Sequence, residues 1–341
     1  MNTNRDLEID CIKGILIILV VLGHAIQYAS GSDYMHRGLY LDNPVFLIIY
    51  SFHMPLFALI SGFLFDRSNK RKFIEVVIRK IKGVFVPLSI FCALALLWEI
   101  HINESMTITQ PVHILSNYIK NLYGWPLWYL GTILLDSFII ALLSRLTSCK
   151  PFNELTMWFV FVVSFFIPDE FIISIHKFIY PFFLIGYLMS SRGVELCKPY
   201  KKSFRSLEIV ILVILSLGLL MFFDKEYLVY ISGFSIKDDI NVLWVDMYRM
   251  LVGLIISRFL CILIPMIINN KEIKWLTVLG RNTLGIYCFQ TLLYLVVPSF
   301  VYHFHINNGI IGPVVCFILV LSISYVITQL CEKYIPCMIG K

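Results

Sequence analysis

Residues 10–30, DCIKGILIILVVLGHAIQYAS, form one apolar run of membrane length that carries Asp10, Lys13 and His24. An acid, a base and an imidazole inside such a helix cost free energy unless each has a partner or a wet cavity, so their default meaning is a functional site. At about 100° per residue, the step from Lys13 to His24 returns to within about 20° of its start, and that from Asp10 to His24 to within about 40°. The three side chains share one stripe. A rise of about 1.5 Å per residue puts Asp10 roughly 21 Å from His24 along the axis, too far for a direct hydrogen bond. Asp10 and Lys13 mark one membrane face, and His24 lies deep toward the other.

Working outward, 59% of the 341 residues are hydrophobic and 15% charged, and the mean hydropathy is +0.81. A chain this apolar reads as a polytopic membrane protein. Its apolar stretches have helix length and lack the alternation of an outer-membrane barrel. The expected fold class is an all-α integral membrane protein, a bundle of about ten transmembrane helices in a bacterial inner membrane. The spans fall near Ile12–Ala29, Val45–Phe65, Val84–Ile100, Leu127–Leu146, Phe152–Ile167, Phe171–Met189, Leu207–Phe223, Leu243–Ile268, Thr283–Phe300 and Ile310–Leu330. With the N-terminus inside, only Arg37, Lys120, Lys177, Lys225 and Lys237 fall outside, which predicts that both termini are cytoplasmic.

The net charge of +6 then serves topology and implies no nucleic-acid partner. The nine cysteines are scattered without a C-x-x-C pair or Cys-His ligand spacing, so neither a disulfide framework nor a metal site is expected. No small-residue cleavage pattern follows the first helix, which predicts that it is retained. With no internal repeat and no loop long enough for a second unit, residues 1–341 are expected to form one membrane domain with its core at about 5–330 and no fused extracytoplasmic domain. The longest outer segments, Gly31–Pro44, His101–Trp125 and Asp224–Asn241, are expected to cap or line an entrance, with Pro111–Tyr123 along the interface.

Further polar groups punctuate the apolar runs. In SFHMPLFALISGFLF, residues 51–65, His53 sits at a depth similar to that of His24, so two imidazoles can face one cavity; an interhelical hydrogen bond from each is the plain alternative. The run from Arg67 to Lys82 is what a phosphate-rich cytosolic donor needs, and equally what anionic lipid attracts. Arg79 and Lys82 can share a helix face. Trp125, Pro126, Leu127, Trp128 and Tyr129 mark an outer mouth, as interfacial anchors or as a wall on which a sugar stacks. Asp246 and Arg249 are spaced for an ion pair, whereas Arg258 lies on the opposite face and needs a partner elsewhere, with Asp136 a candidate, or an anionic ligand. Tyr287 and Gln290 lie one turn apart in LGRNTLGIYCFQ, residues 279–290.

Taken together these residues resemble the membrane acyltransferase 3 family, which includes fucose 4-O-acetylase-like proteins and polysaccharide O-acetylases. Arg5, Asp10, Lys13-Gly14 and His24 are similar to its N-terminal signature. His53 with Met54-Pro55-Leu56-Phe57 and Ser61-Gly62 matches the second-helix motif, Arg79 and Pro87 the basic-then-proline segment, Leu127 to Leu130 the W-F-L segment and Gly280 to Tyr287 a late G-x-x-S-L-x-I-Y motif. Lys13 stands where many members have arginine, and Gln290 where histidine is common. The resemblance implies an enzyme that takes an acyl group, usually acetyl, from cytosolic acyl-CoA (acetyl-CoA) and delivers it to a carbohydrate hydroxyl in capsule, exopolysaccharide, O-antigen or a lipid-linked sugar. His24 would then be the catalytic base, with Asp10 and His53 the other catalytic residues, Asp10 orienting Lys13 or Arg79 and His53 on the acceptor side. Lys13, Arg79, Lys82 and Ser61 would hold the donor, and Trp128, Tyr287, Gln290, Arg249 and Arg258 the acceptor side. No metal is expected. A transporter or flippase of a lipid-linked sugar is the competing reading, since intramembrane charges can line a substrate path.

Overall fold

The computed structural model describes residues 7–30, 38–102, 111–123, 127–169, 173–198, 205–236, 240–268, 273–303 and 310–341. Arg5, Arg37, Trp125, Pro126 and Lys237 lie outside the described residues. Among the described residues all regular structure is helical. In chain order the longer helices are α1 (Leu7–Ala29), α2 (Pro44–Asn69), α3 (Phe73–Lys80), a π-helical turn at Ile81–Phe85, α4 (Val86–Ile102), α5 (Pro111–Tyr123), α6 (Trp128–Leu143), α7 (Lys150–Ser164), α8 (Ile173–Ser191), α9 (Arg205–Leu220), α10 (Val242–Ile268), α11 (Lys274–Arg281), α12 (Thr283–Leu293), α13 (Val297–His303) and α14 (Ile311–Tyr334), with short helical turns at Leu39–Asp42, Lys225–Tyr227, Val229–Ser232 and Pro336–Ile339.

By length and composition six segments can cross a membrane: α1, α2, the run Phe73–His101, α8, α10 and α14. A seventh arises if α12 and α13, bent by 49°, count as one span. This differs from the ten expected. All ten apolar runs are helical, but α6, α7 and α9 have 16, 15 and 16 residues, short of the roughly 20 that a bilayer core asks of an upright helix. The run near Thr283–Phe300 is broken rather than straight. Helix α5 covers the stretch expected to lie along the interface.

Local chemistry explains the elements that matter for the site. Asn43 caps α2, its side chain accepting from the amides of Val45 and Phe46, with Pro44 at the first turn where no amide partner is lost. Two glycine pairs then set which helices touch. A Cβ at Gly62 would lie 1.9 Å from the Phe183 carbonyl oxygen, and one at Gly186 the same distance from that of Leu59, so α2 and α8 meet backbone to backbone. Likewise a Cβ at Gly280 would lie 1.8 Å from the Asp10 carbonyl oxygen and one at Gly14 2.3 Å from that of Leu276. Helix α11 is thereby pressed against the start of α1, at the turn that carries Asp10 and Lys13.

Candidate active site

Three adjoining hollows run through the bundle. The largest, about 600 Å³, is bounded by α1, α2, α3, α6 and α12. Lys13, Ser68, Arg79 and Lys80 line it at one end, while Val20, Met54, Tyr129 and Tyr287 line it at the other. From Ser68 to Met54 along α2 is roughly 21 Å. Its lining includes three cations, Lys13, Arg79 and Lys80, and no carboxylate. Ser61 lines the wall and shares a hydrogen bond of 3.2 Å with the Tyr129 hydroxyl. This shape suits a long molecule with an anionic head and a slender apolar arm.

The second hollow, about 220 Å³, contains His24. Its lining is aromatic, with Tyr28, Tyr40, Tyr50, Trp128, Tyr230 and Tyr294 among the rings, and it has no Lys, Arg, Asp or Glu. Tyr40 and Tyr230 come from outer segments expected to cap an entrance, and Lys225 and Asp42 join those segments by an ion pair of 2.8 Å. The Asp42 carboxylate raises the Lys225 ammonium above its ordinary value. Tyr287 lines both this hollow and the large one.

His24 is held rather than free to swing. Its Nδ1 lies 3.2 Å from Oε1 of Gln290, and its ring packs on the edge of Tyr294 with centroids 5.7 Å apart. The Tyr294 hydroxyl donates in turn to the Val21 carbonyl at 2.5 Å. Gln290 is fully buried and lines none of the three hollows, so it supports His24 rather than facing a ligand.

His53 occupies the third hollow, about 90 Å³, with Tyr50, Trp128 and Tyr230 common to it and the second. The two imidazoles therefore face neighbouring spaces instead of one, because His53 Nδ1 donates to the Ile49 carbonyl at 2.7 Å and the Tyr50 ring packs against it at 4.7 Å. Trp128 stands at the junction of the two.

The remaining residues sort by their partners. Asp10 is buried, 3.5 Å from Lys13 Nζ and 3.3 Å from Arg281 Nε. It thus bridges Lys13 and Arg281 rather than reaching Arg79, since the Gly14 and Gly280 contact brings α11 alongside. Lys82 is exposed and outside the lining, whereas its neighbour Lys80 lines the large hollow with its ammonium 4.7 Å from the centre of the Phe65 ring. The π-helical turn that begins at Ile81 adds a residue to the turn, which changes the face that Lys82 presents.

Arg249 makes the expected ion pair with Asp246 and also donates to the Ser232 hydroxyl at 2.9 Å and to the Gly233 carbonyl. Arg258 overturns one expectation: it pairs with Glu208 of α9 at 2.7 Å and donates to the carbonyls of Leu196 and Lys198. It lines none of the three hollows, and Asp136 is not its partner. The carboxylate that answers it comes from the adjacent helix, which hydropathy alone does not pair with α10. Among the described residues no group of three or more His, Cys, Asp or Glu is placed to hold a metal.

Sequence reasoning missed Lys80, Arg281 and the tyrosines around His24. The first two sit inside motifs already singled out, beside Arg79 and after Gly280, so their neighbours were the available signal. The tyrosines arrive from five separate segments and carry none.

A family model described as acyltransferase domain, Acyl_transf_3, matches residues 6–329. The nodulation protein NolL of Mesorhizobium japonicum is 32% identical over 197 residues, 55% of this chain and 49% of that protein. NolL of Sinorhizobium fredii is 32% identical over 198 residues, again 55% and 49%. The chain thus matches about half the length of these curated relatives. No solved structure matches. With the family match covering nearly its whole length, the chain belongs to the Acyl_transf_3 family of acyltransferases.

Proposed function

We propose that this protein is a membrane O-acyltransferase that moves an acyl group, acetyl in the first instance, from cytosolic acyl-CoA to a hydroxyl of a cell-surface or lipid-linked sugar. The observation that carries the reading is the shared wall. A long hollow with three cations at one end and an uncharged aromatic hollow containing His24 both include Tyr287 in their lining. Donor phosphates sit at Lys13, Arg79 and Lys80 in this reading, the pantetheine arm follows α2 inward, and the thioester comes to rest at Tyr287. The sugar ring stacks on the tyrosines and Trp128 from the other side. The protein lies in a bacterial inner membrane with its basic end at the cytosol, the short and bent helices completing a ten-helix bundle.

The chemistry follows from the groups at the wall. With Nδ1–H donating to Gln290 Oε1, the His24 Nε2 lone pair takes the proton of the acceptor hydroxyl as its oxygen attacks the thioester carbonyl. The Tyr287 hydroxyl donates to the oxyanion. Collapse breaks the carbon–sulfur bond, and the departing thiolate recovers the proton from His24 Nε2. A neutral glutamine beneath the imidazole fixes its orientation without trapping the protonated ring by a full charge.

The test is the thermal unfolding midpoint of detergent-purified protein with and without excess acetyl-CoA, run on wild type, Arg79→Ala and His24→Ala. A ligand that binds the folded state alone raises the midpoint by mass action. Stabilisation of wild type and His24→Ala but not of Arg79→Ala, with transfer to an acceptor lost in His24→Ala, is the expected result. Folded wild type that responds to no acyl-CoA would favour a transporter.

A further inference from the structure

A second basic pocket lies on the other side of α2 from the donor hollow. It measures about 580 Å³ and forms where the C-terminal ends of α2, α6 and α8 meet the N-terminal end of α7. Ser68 faces the donor hollow, while Asp66, Asn69, Lys70 and Arg71 line this pocket, so both open at the same end of the bundle. Nothing in the acyl-transfer reading uses it.

Its floor is built. Arg145 Nη1 donates to Asn69 Oδ1 and to the Ala141 carbonyl, both at 2.6 Å, and Nη2 donates to the carbonyls of Asn69 and Arg71 at 2.6 and 2.9 Å. The Asn69 amide nitrogen donates to the hydroxyls of Ser144 and Tyr187 at 3.0 and 3.2 Å. One guanidinium thus satisfies the exposed carbonyls at the ends of two helices and ties them together.

Its charge is not balanced. Five cations, Lys70, Arg71, Arg145, Lys150 and Arg192, line the pocket against two carboxylates, Asp66 and Glu154. Both carboxylates are engaged: Asp66 accepts from Lys70 at 2.9 Å and from the Ser190 hydroxyl at 3.0 Å, and Glu154 pairs with Arg192. The acceptors of Arg145 are neutral oxygens, and the Arg71 and Lys150 side chains have no partner among the described residues. Close in sequence to these lining residues stand exposed large apolar side chains, Leu142 on α6, Leu146 just after it, and Phe152 and Leu155 on α7. In a membrane-spanning chain that outer surface meets acyl tails.

The geometry points to a headgroup site for an anionic phospholipid, its phosphate between Arg71 and Lys150 above Arg145 and its tails along the apolar rim. A phosphate diester accepts from a guanidinium and an ammonium together, and the apolar rim is what a free phosphate would not use. The bound lipid staples the ends of α2, α6 and α7, two of which, α2 and α6, also wall the donor hollow.

The test titrates the full chain in neutral detergent with phosphatidylglycerol, with phosphatidylcholine and with inorganic phosphate. Bound lipid is counted by native mass spectrometry, and the unfolding midpoint is followed. The variant is Arg71→Gln with Lys150→Gln, both exposed positions whose side chains make no hydrogen bond or ion pair among the described residues, and Lys333→Gln on the C-terminal helix is the control. Wild type and control are expected to retain phosphatidylglycerol and unfold at higher temperature with it. The double variant should hold it roughly tenfold or more weakly while keeping its stability in phosphatidylcholine and its response to acetyl-CoA. Equal phosphatidylglycerol retention by the double variant would overturn the site, as would stabilisation by inorganic phosphate equal to that by the lipid. Loss of the acetyl-CoA response in the double variant would instead make the pocket part of the donor site and overturn the lipid assignment. Acetyl-CoA failing on wild type as well would count against the acyl-transfer reading alone.

Discussion

The Nδ1 atom of His24 lies 3.2 Å from Oε1 of Gln290, across 266 residues of chain, and Gln290 is fully buried behind it. A buried amide oxygen in that position accepts a hydrogen bond from Nδ1–H, which leaves the Nε2 lone pair free for the base role proposed above. Gln290→Leu removes the acceptor while keeping the volume, and a lost buried hydrogen bond costs about 1–3 kcal/mol, or roughly tenfold to a hundredfold in rate. The expected outcome is a fall of that size in kcat with KM for acyl-CoA unchanged. Equal kcat in wild type and Gln290→Leu would reduce the glutamine to packing.

Lys80 and Lys82 provide a contrast inside one basic run. Lys80 lines the large hollow and Lys82 is exposed outside it. Lys80→Gln is expected to weaken acetyl-CoA binding roughly tenfold, the worth of one charge-assisted contact to phosphate. Lys82→Gln should leave it within about twofold, as exposed charges contribute little. Isothermal titration of each variant with acetyl-CoA decides between them, and the reverse order would move the donor head to the surface.

Tyr287 is the residue common to the large cation-lined hollow and the hollow that contains His24. Tyr287→Trp adds ring volume at a position that is itself only 9% exposed. It should block transfer by about a hundredfold or more, since a misplaced reacting group of that order costs as much. Acetyl-CoA should still stabilise this variant, because the cations are untouched. Unchanged turnover in Tyr287→Trp would show that acyl group and acceptor meet elsewhere.

How far these relationships were legible beforehand depends on their range. The stripe of Asp10, Lys13 and His24 follows from one helix period, and the helical runs follow from hydropathy. What a period cannot supply is the neighbour across a helix pair: Glu208 for Arg258, Arg281 for Asp10, Gln290 for His24. The Arg281 contact depends on Gly14 and Gly280, which let two backbones close up, and all three pairs join segments far apart in sequence. The π-helical turn after Lys80 is a further limit, since it rotates the basic run away from the even 100° step.

The Gly280 contact turns that limit into a prediction. Because a Cβ there would fall 1.8 Å from the Asp10 carbonyl oxygen, Gly280→Ala forces α11 away from α1. Overpacking of this kind typically costs about 1–3 kcal/mol. It also moves Arg281 off Asp10, now 3.3 Å away. A lower unfolding midpoint together with weaker acetyl-CoA stabilisation is expected, since Lys13 shares the same carboxylate at 3.5 Å. Wild-type values for both would mean that the two helices are not in contact.

The segment carrying Tyr230, which lines the hollow that contains His24, is tied down by Asp169, and this tie titrates. Asp169 pairs with Lys177 at 2.8 Å and accepts from the backbone amides of Phe234 and, at 2.8 Å, Ser235. Gly233 allows the approach, at φ 74° and with room for no Cβ beside the Asp169 carboxylate, which would lie 2.7 Å away. Partial burial pushes the Asp169 carboxyl up, but the Lys177 bond and the two amides outweigh it and hold the group below its ordinary value. A depressed native value means that the unfolded chain binds the proton more readily, so the contribution is complete above the ordinary carboxylate range of about 3.9. It is lost as the pH falls through the lower native value. The unfolding midpoint of wild type should therefore drop more steeply below about pH 4 than that of Asp169→Asn. At neutral pH the variant should already be the less stable, its Lys177 left buried without a counter-charge. Parallel pH dependence in the two proteins would show that Asp169 does not anchor the segment.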